Sequence, residues 1–194
     1  IQVDDTSGSV QNVTIDGFTV QNPDGNFGIF AGDGSTNSKN DGISGLVISN
    51  NVIRNISTDV DDSALTGGPA GVGIRSDYGT DGKPGIVIED NLIDNVENVA
   101  GAEPVGITLK SFTGNAGFGF NSSGDSTEDT ASPPATDTDI IDNTIKNISS
   151  SDGGFATKGI SVSGEFEDVL IEDNTLSNIE SPGRVNVITL TENG

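Results

Sequence analysis

One short pattern recurs five times along this chain, and self-similarity of that kind leaves few folds open. The copies span Ile15–Asn22, Ile48–Asn55, Ile88–Asn95, Ile140–Asn147 and Ile171–Asn178. Four read Ile-x-x-Asn-x-Ile/Leu-x-Asn, with their first asparagine at Asn51, Asn91, Asn143 and Asn174; Phe18 holds that place in the first copy. The second asparagine is present throughout, at Asn22, Asn55, Asn95, Asn147 and Asn178. A second element lies between the copies. It reads Gly28-Ile29-Phe30-Ala31, Gly73-Ile74-Arg75-Ser76, Gly106-Ile107-Thr108-Leu109, Gly159-Ile160-Ser161-Val162 and Asn186-Val187-Ile188-Thr189-Leu190. Each is short, alternating and rich in β-branched residues, so each predicts a strand. The asparagine copies hold two more strands, hinged near the first asparagine. Three short strands per repeat describe one coil of a solenoid.

A lone coil cannot bury its apolar face, so coils must stack about 4.8 Å apart around shared aliphatic columns. The pattern predicts one inward column of Ile15, Ile48, Ile88, Ile140 and Ile171, and another of Ile29, Ile74, Ile107, Ile160 and Ile188. The asparagines are expected at inward bends, bonding backbone in their own coil and the asparagine above. On this reading Asn22, Asn55, Asn95, Asn147 and Asn178 form a complete inward ladder, and Phe18 plugs the end of the other. Loops rich in Gly, Asp, Ser and Pro fill Gly32–Gly42, Thr58–Gly71, Asp77–Gly85 and Phe112–Thr138. The domain reading is one unit over 1–194, a piece of a longer protein, with an inserted surface loop at 112–138.

Hydrophobic content of 31% suits a thin solenoid core. Disorder, the competing reading of such a composition, is set aside because the apolar residues are periodic. Thirty acidic residues stand against eight basic ones, for a net charge of −22. Nucleic acid and anionic membranes need concentrated positive charge and are excluded as partners. Two readings of the charge remain, a cation-binding surface and adaptation to high salt, where self-repulsion is screened. The even spread of acids favours the second. With no cysteine there is no disulfide or thiolate site, and with no histidine there is no imidazole base or ligand. No run approaches the ~18 apolar residues of a membrane span.

The asparagine copies and Gly-Ile strands, from about Val10 to Leu190, resemble the right-handed parallel β-helix family, which includes pectate-lyase-like proteins. The resemblance implies an all-β fold: a single-stranded right-handed parallel β-helix of about five coils, with three short strands per coil. Parallel crossovers share that handedness. It implies little about activity, because the fold carries lyases, hydrolases, epimerases, adhesins and phage spikes. In pectate-lyase-like members an arginine acts as base beside calcium-binding acids; Arg75 with Asp77 is the nearest match, without further acids in line. The Gly-His-Gly segment of polygalacturonase-like members is missing. Copper-loading β-helix proteins share the repeat, but this chain has no soft ligands for copper.

On the Gly-Ile strands the expected outward rows are Phe30, Arg75, Thr108, Ser161, Thr189 and, two residues on, Gly32, Asp77, Lys110, Ser163, Thr191. Arg75, Asp77 and Lys110 then share one face, where arginine could grip carboxylates of an acidic glycan. Tyr78 and Phe112, with Phe118 and Phe120, offer rings for sugars to stack on. Local charge pairing across the sheet is the alternative reading. No cofactor is required; weak binding of calcium or other cations is expected at Asp77 and Asp81, or at Asp59, Asp61 and Asp62. The loop from Asp77 resembles an EF-hand start, but its twelfth position is Ile88 where a bidentate acid belongs. Four Asn-x-Ser/Thr sequons occur. Asn55 and Asn147 are discounted as inward, leaving Asn121 and Asn12 as glycosylation candidates.

The functional expectation is a non-catalytic structural, adhesive or glycan-binding module of a secreted or cell-surface protein adapted to high salt. It would partner a polysaccharide or cell-surface glycan, or self-associate by stacking solenoid ends as a filament or appendage subunit. A polysaccharide lyase acting on an acidic glycan is the rival class.

Overall fold

Each bend of a coil needs a residue in the left-handed region, which only glycine, asparagine and aspartate enter cheaply. That requirement accounts for much of this composition. All twelve non-glycine residues of positive φ among the described residues are Asn or Asp, with φ from 47° to 63°. They fall, with four glycines, largely into three columns, two between strands and one that bends the strands of a sheet midway. One column is Asn12, Gly45, Gly85, Asp137 and Asp168; the next is Gly17, Asn50, Asp90, Asp142 and Asp173. The third is Asn22, Asn55, Asn95, Asn147 and Asn178.

The computed structural model describes residues 1–3, 10–23, 26–32, 43–58, 69–77, 85–98, 103–112, 137–151, 153–163 and 168–191. In chain order the strands are β1 (Gln2–Val3), β2 (Val10–Gln11), β3 (Thr14–Asp16), β4 (Thr19–Gln21), β5 (Phe27–Ala31) and β6 (Ile43–Ser44). There follow β7 (Val47–Ser49), β8 (Val52–Thr58), β9 (Ala70–Asp77), β10 (Ile86–Glu89), β11 (Leu92–Asn98) and β12 (Val105–Phe112). The last two coils hold β13 (Thr138–Ile141), β14 (Thr144–Ser150), β15 (Ala156–Ser163), β16 (Val169–Glu172), β17 (Thr175–Glu180) and β18 (Arg184–Thr191).

These strands stack into three long sheets, ordered β3-β7-β10-β13-β16, β4-β8-β11-β14-β17 and β1-β5-β9-β12-β15-β18. Strands β2 and β6 form a fourth, short pair. All neighbours are parallel, each strand lying against its counterpart one coil away. The molecule is a right-handed parallel β-helix of about five coils, three strands to the coil. The expected inserted loop falls almost wholly outside the described residues.

The first aliphatic column is in register as expected: Ile15, Ile48, Ile88, Ile140 and Ile171 are successive partners. The first four are buried, each burial contributing roughly 1.5–3 kcal/mol, and Ile171 is half-buried. The second column needs a correction. Ile29, Val72, Ile107, Ile160 and Ile188 are the partners, while Ile74 aligns with Ala31, Leu109, Val162 and Leu190. Both columns point inward. The cause is steric: Gly28, Gly71, Gly106 and Gly159 pack where no Cβ fits. A Cβ on Gly106 would lie 2.6 Å from Gly159 O and meet the Ile145 side chain.

The first-asparagine ladder is the buried one. Asn51, Asn91 and Asn143 are each 1% exposed. Each donates its backbone N–H and its Nδ2 to the Oδ1 of the asparagine one coil further on, at 3.0–3.1 Å. Each also donates Nδ2 to a carbonyl of the preceding coil: Ile15 O, Ile48 O and Ile88 O, at 2.8–2.9 Å. The ladder therefore has a direction, its donors facing the C-terminal end. Phe18 begins it through its backbone, N–H to Asn51 Oδ1 at 2.9 Å. Its side chain plugs nothing, since Phe18 is 53% exposed.

The second-asparagine ladder is also corrected. Asn22, Asn55, Asn95 and Asn178 are exposed and Asn147 is partly so. The left-handed residue in Ile53-Arg54-Asn55-Ile56 turns both isoleucines inward and leaves the asparagine facing solvent. Side-chain bonds run from Asn95 to Asn55 (3.1 Å) and from Asn178 to Asn147 (3.0 Å). Between them Asn147 donates to Asp94 instead, at 2.7 Å.

Candidate functional site

Lateral faces of a solenoid are rows of side chains repeated once per coil, so any site on them is read from register. Arg75 and Asp77 lie on β9, Lys110 and Phe112 on β12. The register pairs Lys110 with Arg75 and Phe112 with Asp77. The two cationic residues are thus direct partners, not offset by two as the Gly73-Ile74 alignment predicts. Asp77 is level with the aromatic residue, not with Lys110. The row continues from Lys110 to Ser163 and Thr191. Tyr78, Asp59, Asp61, Asp62, Asp81 and Asn121 lie outside the described residues.

Among the described residues two ion pairs tie adjacent coils together, Lys146 Nζ to Asp94 Oδ2 at 3.3 Å and Lys158 Nζ to Glu103 Oε2 at 2.6 Å. Arg54 donates from Nε and Nη2 to Gln21 Oε1 at 2.9 and 2.6 Å. Cross-rung pairing is therefore how several of the few cations in this chain are used. No group of three or more acidic residues placed to hold a metal ion occurs among the described residues. No helix of the described residues is long and apolar enough to cross a membrane.

The corner columns were not anticipated as acidic rows. Asp90, Asp142 and Asp173 occupy consecutive rungs of one corner, and Asp137 and Asp168 of another. Their sequence signal was available: an aspartate stands immediately before the first asparagine in the last three copies. At the N-terminal end of the same face, Ser49 Oγ and Asn50 Nδ2 both donate to Asp16 Oδ1 at 2.9 Å. These bonds, Asn50 foremost, hold the Asp16 carboxyl below the usual carboxylate range. Asn12 and Asn55 are both exposed, so the burial argument against the Asn55 sequon falls; Asn147 is only half-buried.

The two ends of the solenoid differ. At the N-terminal end β1 covers β5, and Ile29 and Ala31 are fully buried. At the C-terminal end β16, β17 and β18 are edge strands. Ile188 is 48% and Leu190 65% exposed, where their partners Ile160 and Val162 are 0% and 4%. Asn174 closes the ladder: its Nδ2 donates to Ile140 O (2.6 Å) and Glu172 O (2.9 Å). Its Oδ1 accepts from Asn143. Its backbone N–H, unlike those of Asn51, Asn91 and Asn143, has no asparagine Oδ1 beyond it.

No family model matches this chain, and no curated protein or solved structure matches it either.

Proposed function

We propose that this chain is a non-catalytic β-solenoid module, a structural and adhesive scaffold of a secreted or cell-surface protein adapted to high salt. One observation carries the reading: the polar residues that the sequence repeats are used in the fold. The first asparagines bond along the buried ladder, and the second asparagines and corner aspartates supply left-handed bends. What is left over is an acidic lateral surface suited to brine and long rows suited to an extended ligand such as a glycan. A second reading rests on Lys110 standing opposite Arg75, a cationic pair in an acidic chain. That pair fits an acidic polysaccharide, bound or cleaved as pectate-lyase-like proteins do it.

Polygalacturonate and alginate incubated with the protein and Ca²⁺ in molar NaCl separate the two. The scaffold reading expects no ultraviolet absorbance from unsaturated sugar ends. Product that forms and is lost in Arg75→Ala would overturn it.

A further inference from the structure

Two Asn-x-Ser sequons lie on the second-asparagine column, and the fold treats them differently. At the first, Asn55 and Ser57 are both exposed and Ile56 between them is buried. At the second, Asn147 and Ser149 are both half-buried around Ile148. The amides differ as well. Asn55 Oδ1 accepts from Asn95 Nδ2 at 3.1 Å, which holds the group in place. Among the described residues Asn55 Nδ2 donates to nothing. Asn147 Nδ2 is committed to Asp94 Oδ1 at 2.7 Å, beside the Lys146–Asp94 ion pair. A sugar on Asn147 Nδ2 would sit against that pair; one on Asn55 Nδ2 leaves the sheet from an uncommitted, exposed nitrogen.

We propose that Asn55 is an N-glycosylation site that the folded coil accepts, and that Asn147 is refused. The register leaves room for it. Ser57, Glu97, Ser149 and Glu180 are successive partners, so serine separates the glutamates, which would repel on neighbouring rungs. That alternation gives Asn95 and Asn178 a glutamate where a sequon needs a hydroxyl, and keeps the two sequons of this column two rungs, roughly 10 Å, apart. No second glycan can crowd Asn55 from the next coil. The modified strand, β8, belongs to a different sheet from Arg75 and Lys110, which lie on β9 and β12. The proposal rests on the secreted reading, because the donor is a lipid-phosphate-linked oligosaccharide at an export membrane. In the transfer the Asn55 amide nitrogen bonds the anomeric carbon of the donor. The anomeric C–O bond breaks, the lipid phosphate leaves, and the amide proton passes to a base of the transferase.

The test exports the intact 194-residue chain behind a cleavable secretory leader from a eukaryotic cell line that glycosylates Asn-x-Ser/Thr. Secreted protein is brought to molar NaCl, its fold is checked by circular dichroism, and peptide mass mapping reads occupancy at each asparagine. Occupancy at Asn55 at least fivefold above that at Asn147 is expected, lost in Ser57→Ala and kept in Ser57→Thr. Both substitutions fall on an exposed side chain, so the spectrum should be unchanged. An unmodified Asn55 overturns the proposal, and so does equal occupancy of Asn147. Asn55 glycan confined to material that fails to fold in molar NaCl overturns it too, because the coil would then exclude the sugar. A folded chain glycosylated at Asn55 that also cleaves polygalacturonate would support this site and sink the scaffold reading.

Discussion

At the scale of single residues, asparagine does two different jobs four positions apart. Asn91 is buried and accepts from the Asn51 N–H and Nδ2, so Asn91→Leu strands buried donors at about 1–3 kcal/mol each. Asn95 is exposed and left-handed, so Asn95→Leu should cost mainly the backbone penalty of about 1–2 kcal/mol, its exposed bond to Asn55 adding little. Urea midpoints of the two variants check the order; a larger loss for Asn95→Leu would reverse the assignment of inner and outer ladders. Asp16 gives a pH signature. Its carboxyl is held below the unfolded value by Asn50 and Ser49, so its contribution is present above the unfolded value near pH 4. That contribution is lost as pH falls through the lower folded value. Asp16→Ala should therefore melt lower than the native chain at pH 6, and the gap should narrow as pH falls below about 4. A gap that persists undiminished at pH 2 would assign the effect to something other than this ionisation.

At the scale of elements, the strands of the first sheet were legible because left-handed residues bound them at both ends, while β8, β11, β14 and β17 run on through their left-handed asparagines. Each aliphatic pair sits between two left-handed residues, and the repeat keeps both in phase. The third sheet was misread by two residues because β9 contains Gly71-Val72-Gly73-Ile74, two glycine–aliphatic pairs at the strand's own period. Sequence alone cannot choose between them; the narrow space beside Gly106 O can. The same ambiguity displaced Arg75 from its true partner Lys110, so the candidate site was legible in residue type and not in register. Gly106→Ala should cost about 1–3 kcal/mol by overpacking against Ile145 and Gly159 O. Gly17→Ala, with φ at 74° and nothing within 4 Å, should cost about 1–2 kcal/mol from backbone alone. Thermal unfolding of both variants tests whether the glycine column is there for space.

For the whole molecule, thirty acids on a thin core make ionic strength a structural variable. Asp90, Asp142 and Asp173 stand on rungs roughly 4.8 Å apart, where like charges in water repel by about 1 kcal/mol before screening. Circular dichroism melts from millimolar to molar NaCl should show stability rising with salt. Asp142→Asn keeps the left-handed preference and removes one charge, so it should stabilise at low salt and become neutral in molar NaCl. A melting point indifferent to salt would remove the case for adaptation to brine. The one-way asparagine ladder bears on how such a molecule is made. Each finished coil presents amide donors that only the coil synthesised after it can satisfy. The order of assembly thus matches the order in which a ribosome or a secretion pore releases the chain, and a coil waits for its successor rather than for a distant segment.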